Sequence, residues 1–261
     1  MDSQRRRRSP RLDRTRLRGA IQEAYRDVAY EPSYPFHSMS GLPLAELLGY
    51  SRAFLTGIPD GAVDRFAGVG NPFSIAPIRQ GEIVLDLGCG AGMDALIASR
   101  ETGRSGQVLG IDMTRDMIAI ARQNAWEIGA RNVWFEPGFA EAIPMPDDSV
   151  DVVLSNGVLH LCPDKEEVLR EVHRVLKRDG RVQIADVLLD RPVPSAAKHL
   201  VHRWVDCAAG GAQRDEYAAL IEASGFRQVE ICCCYDLLGG PAIEPEGQAY
   251  GARGFNVRAR K

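Results

Sequence analysis

Nowhere does the sequence keep the run of about 20 apolar residues needed to cross a bilayer. Its basic start is not followed by the apolar core of a signal peptide, so a cytoplasmic location is expected and no membrane partner. The six cysteines (Cys89, Cys162, Cys207, Cys232, Cys233 and Cys234) form no CxxC pair. Their spacing is not that of a small disulfide framework, so free thiols are expected and no metal site is assigned. The net charge of −3 gives no general basic surface for nucleic acid. Arg5, Arg6, Arg7, Arg8, Arg11, Arg14, Arg16 and Arg18 do crowd the N-terminus, but no aromatic residue precedes Tyr25 to stack on bases. Residues 1–14 read as a solvated basic tail.

What is present suits an α/β domain with an appendage. The chain has 261 residues and is 45% hydrophobic, enough for a core without staples. Leu17, Ile21, Ala24, Tyr25 and Val28 recur at helical spacing, and Pro32 and Pro35 end that helix. A short helix is expected around Leu42–Leu48, and 57–72 reads as a Gly/Pro-rich loop. From Glu82 onward strand-like and helix-like runs alternate, which implies a parallel sheet covered by helices on both faces. The expected strands are 83–87, 107–111, 133–136, 151–155 and 181–187, with two closing strands at 228–234 and 254–259. The expected helices are 93–100, 115–128, 165–176 and a helical region over 194–224. Residues 15–75 would form an N-terminal helical and loop lid on a domain spanning 76–261.

The most informative stretch is Ile83 to Asp94 (IVLDLGCGAGMD), a buried strand running into a glycine turn that opens a helix. A dinucleotide fingerprint would need glycine at position 93, where Met93 stands; the glycine has moved to Gly92. Asp86 before the turn would repel a pyrophosphate and attract a cation. S-adenosylmethionine carries a sulfonium and an ammonium and no phosphate, so loop and charge agree with that ligand. Asp112, twenty residues after Gly92 (112 − 92), ends the next strand, where a carboxylate can accept two ribose hydroxyls. Alone it could equally be a helix N-cap shared with Thr114.

With these residues in place, the chain resembles the class I S-adenosylmethionine-dependent methyltransferases. Residues 86–92 (DLGCGAG) and Asp112 are similar to that family's first two motifs, 138–144 (GFAEAIP) to its third, and 151–156 (DVVLSN) to the strand ending beside the transferred methyl. The resemblance implies a Rossmann-like α/β fold, with a mostly parallel seven-stranded sheet closed by an antiparallel C-terminal hairpin. It implies S-adenosylmethionine as cofactor, held by Asp86, Gly88, Cys89, Gly90, Gly92, Asp94, Asp112, Met113, Phe139, Ala140 and Asn156. Phe139 stands where the family often has a carboxylate for the adenine amino group; packing by Phe139 or the Ala140 N–H would replace it.

Methyl transfer from a sulfonium is an in-line displacement, helped by alignment and exclusion of water. His160, after the fourth strand, is either a base or ligand for the acceptor or a residue packing its loop. Asp186 is either a base or a satisfied loop carboxylate, the latter reading preferred, and His199, His202, Trp204 and Asp206 are helix residues on the acceptor side that either line its pocket or, more commonly for such residues, pack the core. Within the family, 108–114 (VLGIDMT), Ser155-Asn156, 163–165 (PDK) and 204–210 (WVDCAAG) resemble arsenite methyltransferases, whose thiolates hold trivalent arsenic. Cys207 occupies one expected thiolate place, whereas Gly157 and Val69 occupy the other two. Cys232–Cys234 fall in a strand, where neighbours face opposite ways, and read as small core residues. A small organic acceptor is therefore expected first, arsenite second, and a non-catalytic S-adenosylmethionine-binding protein third.

Overall fold

The computed structural model describes residues 12–32, 39–194, 197–205, 209–235 and 250–261. Helix α1 (Arg14–Tyr30) starts where Asp13 caps it by accepting from the Arg16 N–H at 3.0 Å. Its apolar stripe, Leu17, Ile21, Val28 and Ala29, is buried. Arg14, the last residue of the expected tail, thus opens a docked helix that also carries Arg16 and Arg18; the preceding arginines lie outside the described residues. Short helices α2 (Gly41–Leu47), α3 (Arg52–Leu55) and α4 (Asp60–Val63) follow. The last of these corrects the loop expected over 57–72: Pro59 opens a turn whose Ala62 and Val63 are buried in the core.

Strands and helices then alternate: β1 (Ile83–Leu87), α5 (Met93–Thr102), β2 (Gln107–Asp112), α6 (Arg115–Glu127), β3 (Val133–Pro137), β4 (Val150–Asn156), α7 (Lys165–Val175) and β5 (Leu176–Leu189). After β5 come α8 (Val201–Val205), a two-residue β6 (Ala212–Gln213), α9 (Arg214–Ala223), β7 (Arg227–Tyr235) and β8 (Arg253–Arg260). The helical region expected over 194–224 is therefore broken, with β6 pairing β5 inside it. This short strand adds an eighth member to the sheet.

The sheet order is β3-β2-β1-β4-β5-β8-β7. The first five run parallel, and β8 lies antiparallel between β5 and β7. The strand order reverses between β1 and β4, and in such sheets the crevice at the C-terminal strand ends is the place for a ligand. Both faces are covered. Val84, Val108 and Val152 pack under α5 and the N-terminal helices, while Leu85, Val153 and Ile184 pack against α7 and Tyr217. Alternation along the strands produces these two cores.

The cysteine run departs from expectation. Cys233 and Cys234 are exposed and Cys232 is half-buried. A bulge separates Cys232, opposite Asn256, from Cys234, opposite Phe255, and Cys233 sits at φ 56°. On an edge strand the inserted residue turns outward without disturbing the core.

Candidate active site

At the C-terminal ends of β1, β2 and β4 lies a cavity of about 1090 Å³ of empty space, counted to its open mouth. Its floor is the turn after β1. Gly88 and Cys89 donate their N–H groups to the Ile111 carbonyl at 2.8 and 3.0 Å, tying the turn to β2. Gly88 takes φ 74°, and a Cβ there would meet Val158 Cγ2 at 2.2 Å. Gly90 (φ 51°) faces open space within 4 Å, so the turn leaves room above it. Gly92 caps α5.

Three carboxylates surround this turn. Asp86 is buried in β1, and its Oδ2 has no hydrogen-bond partner. Asp94 accepts from the Tyr50 hydroxyl at 2.8 Å and from Asn156 Nδ2 at 3.2 Å. Asp112 accepts from the Gly90 N–H at 3.0 Å and the Thr114 N–H at 2.8 Å, so it serves the glycine turn and the start of α6 together. Burial raises Asp86 well above the usual carboxylate range, and the nearby charges of Asp94 and Asp112 add to it. Burial pushes Asp94 up to about 6 against the hydrogen bonds from Tyr50 and Asn156, and it raises Asp112 too. Among the described residues none of the three has a cationic partner. The two arginines on the cavity wall are engaged elsewhere: Arg18 with Glu141, Arg65 with the carbonyls of Ala29 and Gly61. Buried carboxylates crowded without a counter-ion form a seat for a positively charged ligand.

Asn156 holds the opposite wall. Its Oδ1 accepts from the Val69 N–H at 2.8 Å and its Nδ2 reaches the Gly70 carbonyl at 3.0 Å. This bracket presses the 68–70 loop onto β4. Met113, Phe139 and Ala140 line the far rim. Cys89 also lines the cavity, with its thiol raised well above the usual range by burial.

The structure thus brings Asp86, Gly88, Cys89, Gly90, Asp94, Asp112, Met113, Phe139, Ala140 and Asn156 to one cleft. His160 is placed differently. It is buried behind the wall, with Nδ1 2.6 Å from Asp186 Oδ1, while Tyr217 donates to Asp186 Oδ2 at 2.8 Å. Burial opposes the Asp186 charge, but His160 and the hydrogen bonds from His160 and Tyr217 hold its carboxyl below the usual range. His160 therefore braces the segment carrying Val158 and Leu161, which do line the cavity. His199, His202 and Trp204 stand off the wall as well; the Trp204 indole N–H donates to the Lys198 carbonyl at 2.9 Å. Cys207 and Asp206 lie outside the described residues. Val69 and Gly157, in the two other expected thiolate places, are neighbours: a Cβ on Gly157 would lie 3.7 Å from Val69 Cγ1. Cys162 is on the wall, but burial pushes its thiol up to about 12 and its Sγ is engaged by the Val158 carbonyl at 3.4 Å. Among the described residues no group of three or more His, Cys, Asp or Glu could hold a metal.

Sequence reasoning missed Tyr50, Arg18, Glu141 and Val158. Tyr50 is 44 residues from Asp94, and no local pattern marks that pairing.

The family model for a methyltransferase domain matches residues 78–225, more than half of the chain. An arsenite methyltransferase of Halobacterium salinarum is 41% identical over 187 residues, covering 72% of this chain and 48% of that protein. The human arsenite methyltransferase is 34% identical over 152 residues, covering 55% and 40%. The chain thus spans about half the length of the curated relatives it matches. The crystal structure of an arsenic(III) S-adenosylmethionine methyltransferase from Chlamydomonas reinhardtii superposes with a TM-score of 0.66 at 30% identity, covering 80% of this chain and 72% of that one. Together with the glycine turn, the acidic strand end and the sheet order, these matches place the chain in the family of class I S-adenosylmethionine-dependent methyltransferases.

Proposed function

We propose that the cleft binds S-adenosylmethionine and that the protein transfers its methyl group to a small-molecule acceptor, releasing S-adenosylhomocysteine. The observation that carries this reading is the set of three carboxylates around a glycine turn, Asp86 and Asp94 buried and Asp112 half-buried, with the Asp86 Oδ2 orphaned. The residues fit such a cofactor. Asp86 and Asp94 answer its cationic end, Asp112 its ribose, and Met113, Phe139 and Ala140 the edge of its base. The bound cofactor supplies an electrophilic methyl on a sulfonium. The chain aligns the acceptor against it and keeps water out. Asn156 fixes the 68–70 loop, and His160, through Asp186, fixes the 158–161 wall. Among the described residues no histidine faces the cleft, which favours acceptors that need little help in losing a proton.

A metalloid acceptor is the second reading, favoured by the arsenite methyltransferases among the relatives. Against it stand Val69 and Gly157 in two thiolate places and the protonated Cys162 thiol. The test is S-adenosylhomocysteine release from S-adenosylmethionine with arsenite plus thiol, set beside a panel of amines, phenols, thiols and carboxylates. Turnover confined to organic acceptors supports the first reading. Arsenite turnover that Cys207→Ser abolishes would replace it with the second.

A further inference from the structure

Helix α1 contributes more to the cleft than apolar cover. Arg18, Ile21 and Tyr25 line the cavity from this helix. The Arg18 guanidinium lies 5.1 Å from the centroid of the Phe139 ring, within cation–π range. Its Nη2 donates to Glu141 Oε1 at 2.8 Å; the Glu141 side chain is 9% exposed and that of Arg18 36%, so Glu141 is the sheltered end of a partly screened pair. One helical turn on, Gln22 Nε2 donates to the Met113 carbonyl at 2.9 Å. Arg18 and Gln22 are four residues apart and share a face. The helix thereby grips both loops that flank the base edge of the cleft, the one after β2 and the one after β3.

Resting on the reading of the cleft as an S-adenosylmethionine site, we infer that Arg18 is a cofactor-retaining residue. Its bridge across Phe139 to Glu141 closes the base edge, and cofactor or product leaves when α1 lets go of that edge. The same bridge explains how the site works with Phe139 in a place where a carboxylate is frequent. The Glu141 carboxylate is occupied by Arg18, and the base meets an arginine-stacked aromatic ring. Occupancy of the cleft and docking of α1 then favour one another, because a bound base buttresses Phe139 from inside while Arg18 covers it from outside.

The experiment measures S-adenosylhomocysteine affinity by calorimetry and its dissociation rate by displacement, on the full chain. The variants are Arg18→Met, which keeps an apolar stem on the helix, and Glu141→Gln, which leaves the helix sequence intact. Arg16→Ala, on the exposed side of α1, is the control. Dissociation about tenfold faster in Arg18→Met and in Glu141→Gln is expected, with no further loss in the double variant and no change in Arg16→Ala. Dissociation unchanged in Glu141→Gln, or losses that add in the double variant, would overturn the bridge while leaving the cleft reading intact. Failure of the unaltered chain to bind S-adenosylhomocysteine would overturn the cleft reading, and the bridge with it.

Discussion

Burial holds the Asp94 carboxyl at about 6, above its ordinary value of 3.8, and this has opposite signs for folding and for binding. Between about pH 4 and 6 the folded chain keeps a proton that the unfolded chain has released, so from this group stability falls as pH rises through that window. Attraction for a cation rises through the same window. S-adenosylmethionine affinity should therefore increase several-fold from pH 5 to pH 7, and Asp94→Asn should reduce that rise, leaving the part due to Asp86 and Asp112, and weaken binding at pH 7 by about tenfold. Calorimetric titrations at stepped pH check both. The glycines separate fold from site. Gly88→Ala meets a left-handed backbone and Val158 Cγ2 at 2.2 Å, and should destabilise the fold by about 2 kcal/mol. Gly90→Ala meets only open space, so it should keep most stability, at a strain of about 1 kcal/mol, and lose ligand affinity instead. Thermal melts beside binding curves tell the two apart. Residues of this kind were legible because their chemistry is local: a strand, a turn and a carboxylate at its end. Tyr50 and Arg18 were not, because each acquires its meaning from a partner far along the chain.

At the scale of elements, hydrophobic periodicity located β1, β2, α6 and α7 to within a residue or two, since each buries a regular stripe or a full strand. Where periodicity is interrupted it misled. The 57–72 segment hides the single turn of α4, and the region after β5 breaks into α8, β6 and α9. Cys232 to Cys234 read as core because three small apolar side chains occur in a strand pattern, yet a bulge, invisible to composition, turns Cys233 and Cys234 out to solvent. Cys233→Gly should then leave the melting temperature unchanged or raise it by about 1–2 °C, since glycine relieves the φ of 56°, while Cys232→Gly, in extended backbone, should lower it. The contact from α9 to β5 is less forgiving. Tyr217→Phe removes the donor to Asp186 Oδ2 in a site where both residues are fully buried, and should cost about 1–3 kcal/mol in denaturant unfolding.

For the whole molecule, the alternation of strands and helices foretold the doubly covered sheet, and the resemblance foretold the antiparallel β7–β8 pair. What joins the N-terminal segment to that sheet was not foretold, because it depends on side-chain amides. Asn156 grips Val69 and Gly70, and Asn256 of β8 accepts from the Asn71 N–H at 3.1 Å while donating to the Asn71 carbonyl at 3.0 Å. Farther along, Gln183 donates to the carbonyls of Pro72 and Ala76. The segment before β1 is thus stitched to the middle of the sheet at several points. A break in the backbone just after Ala76 would leave every one of these stitches in place. Two separately expressed pieces, 1–76 and 77–261, should therefore reassemble on mixing into a complex that co-elutes on a sizing column, and Asn256→Ala should weaken their reunion.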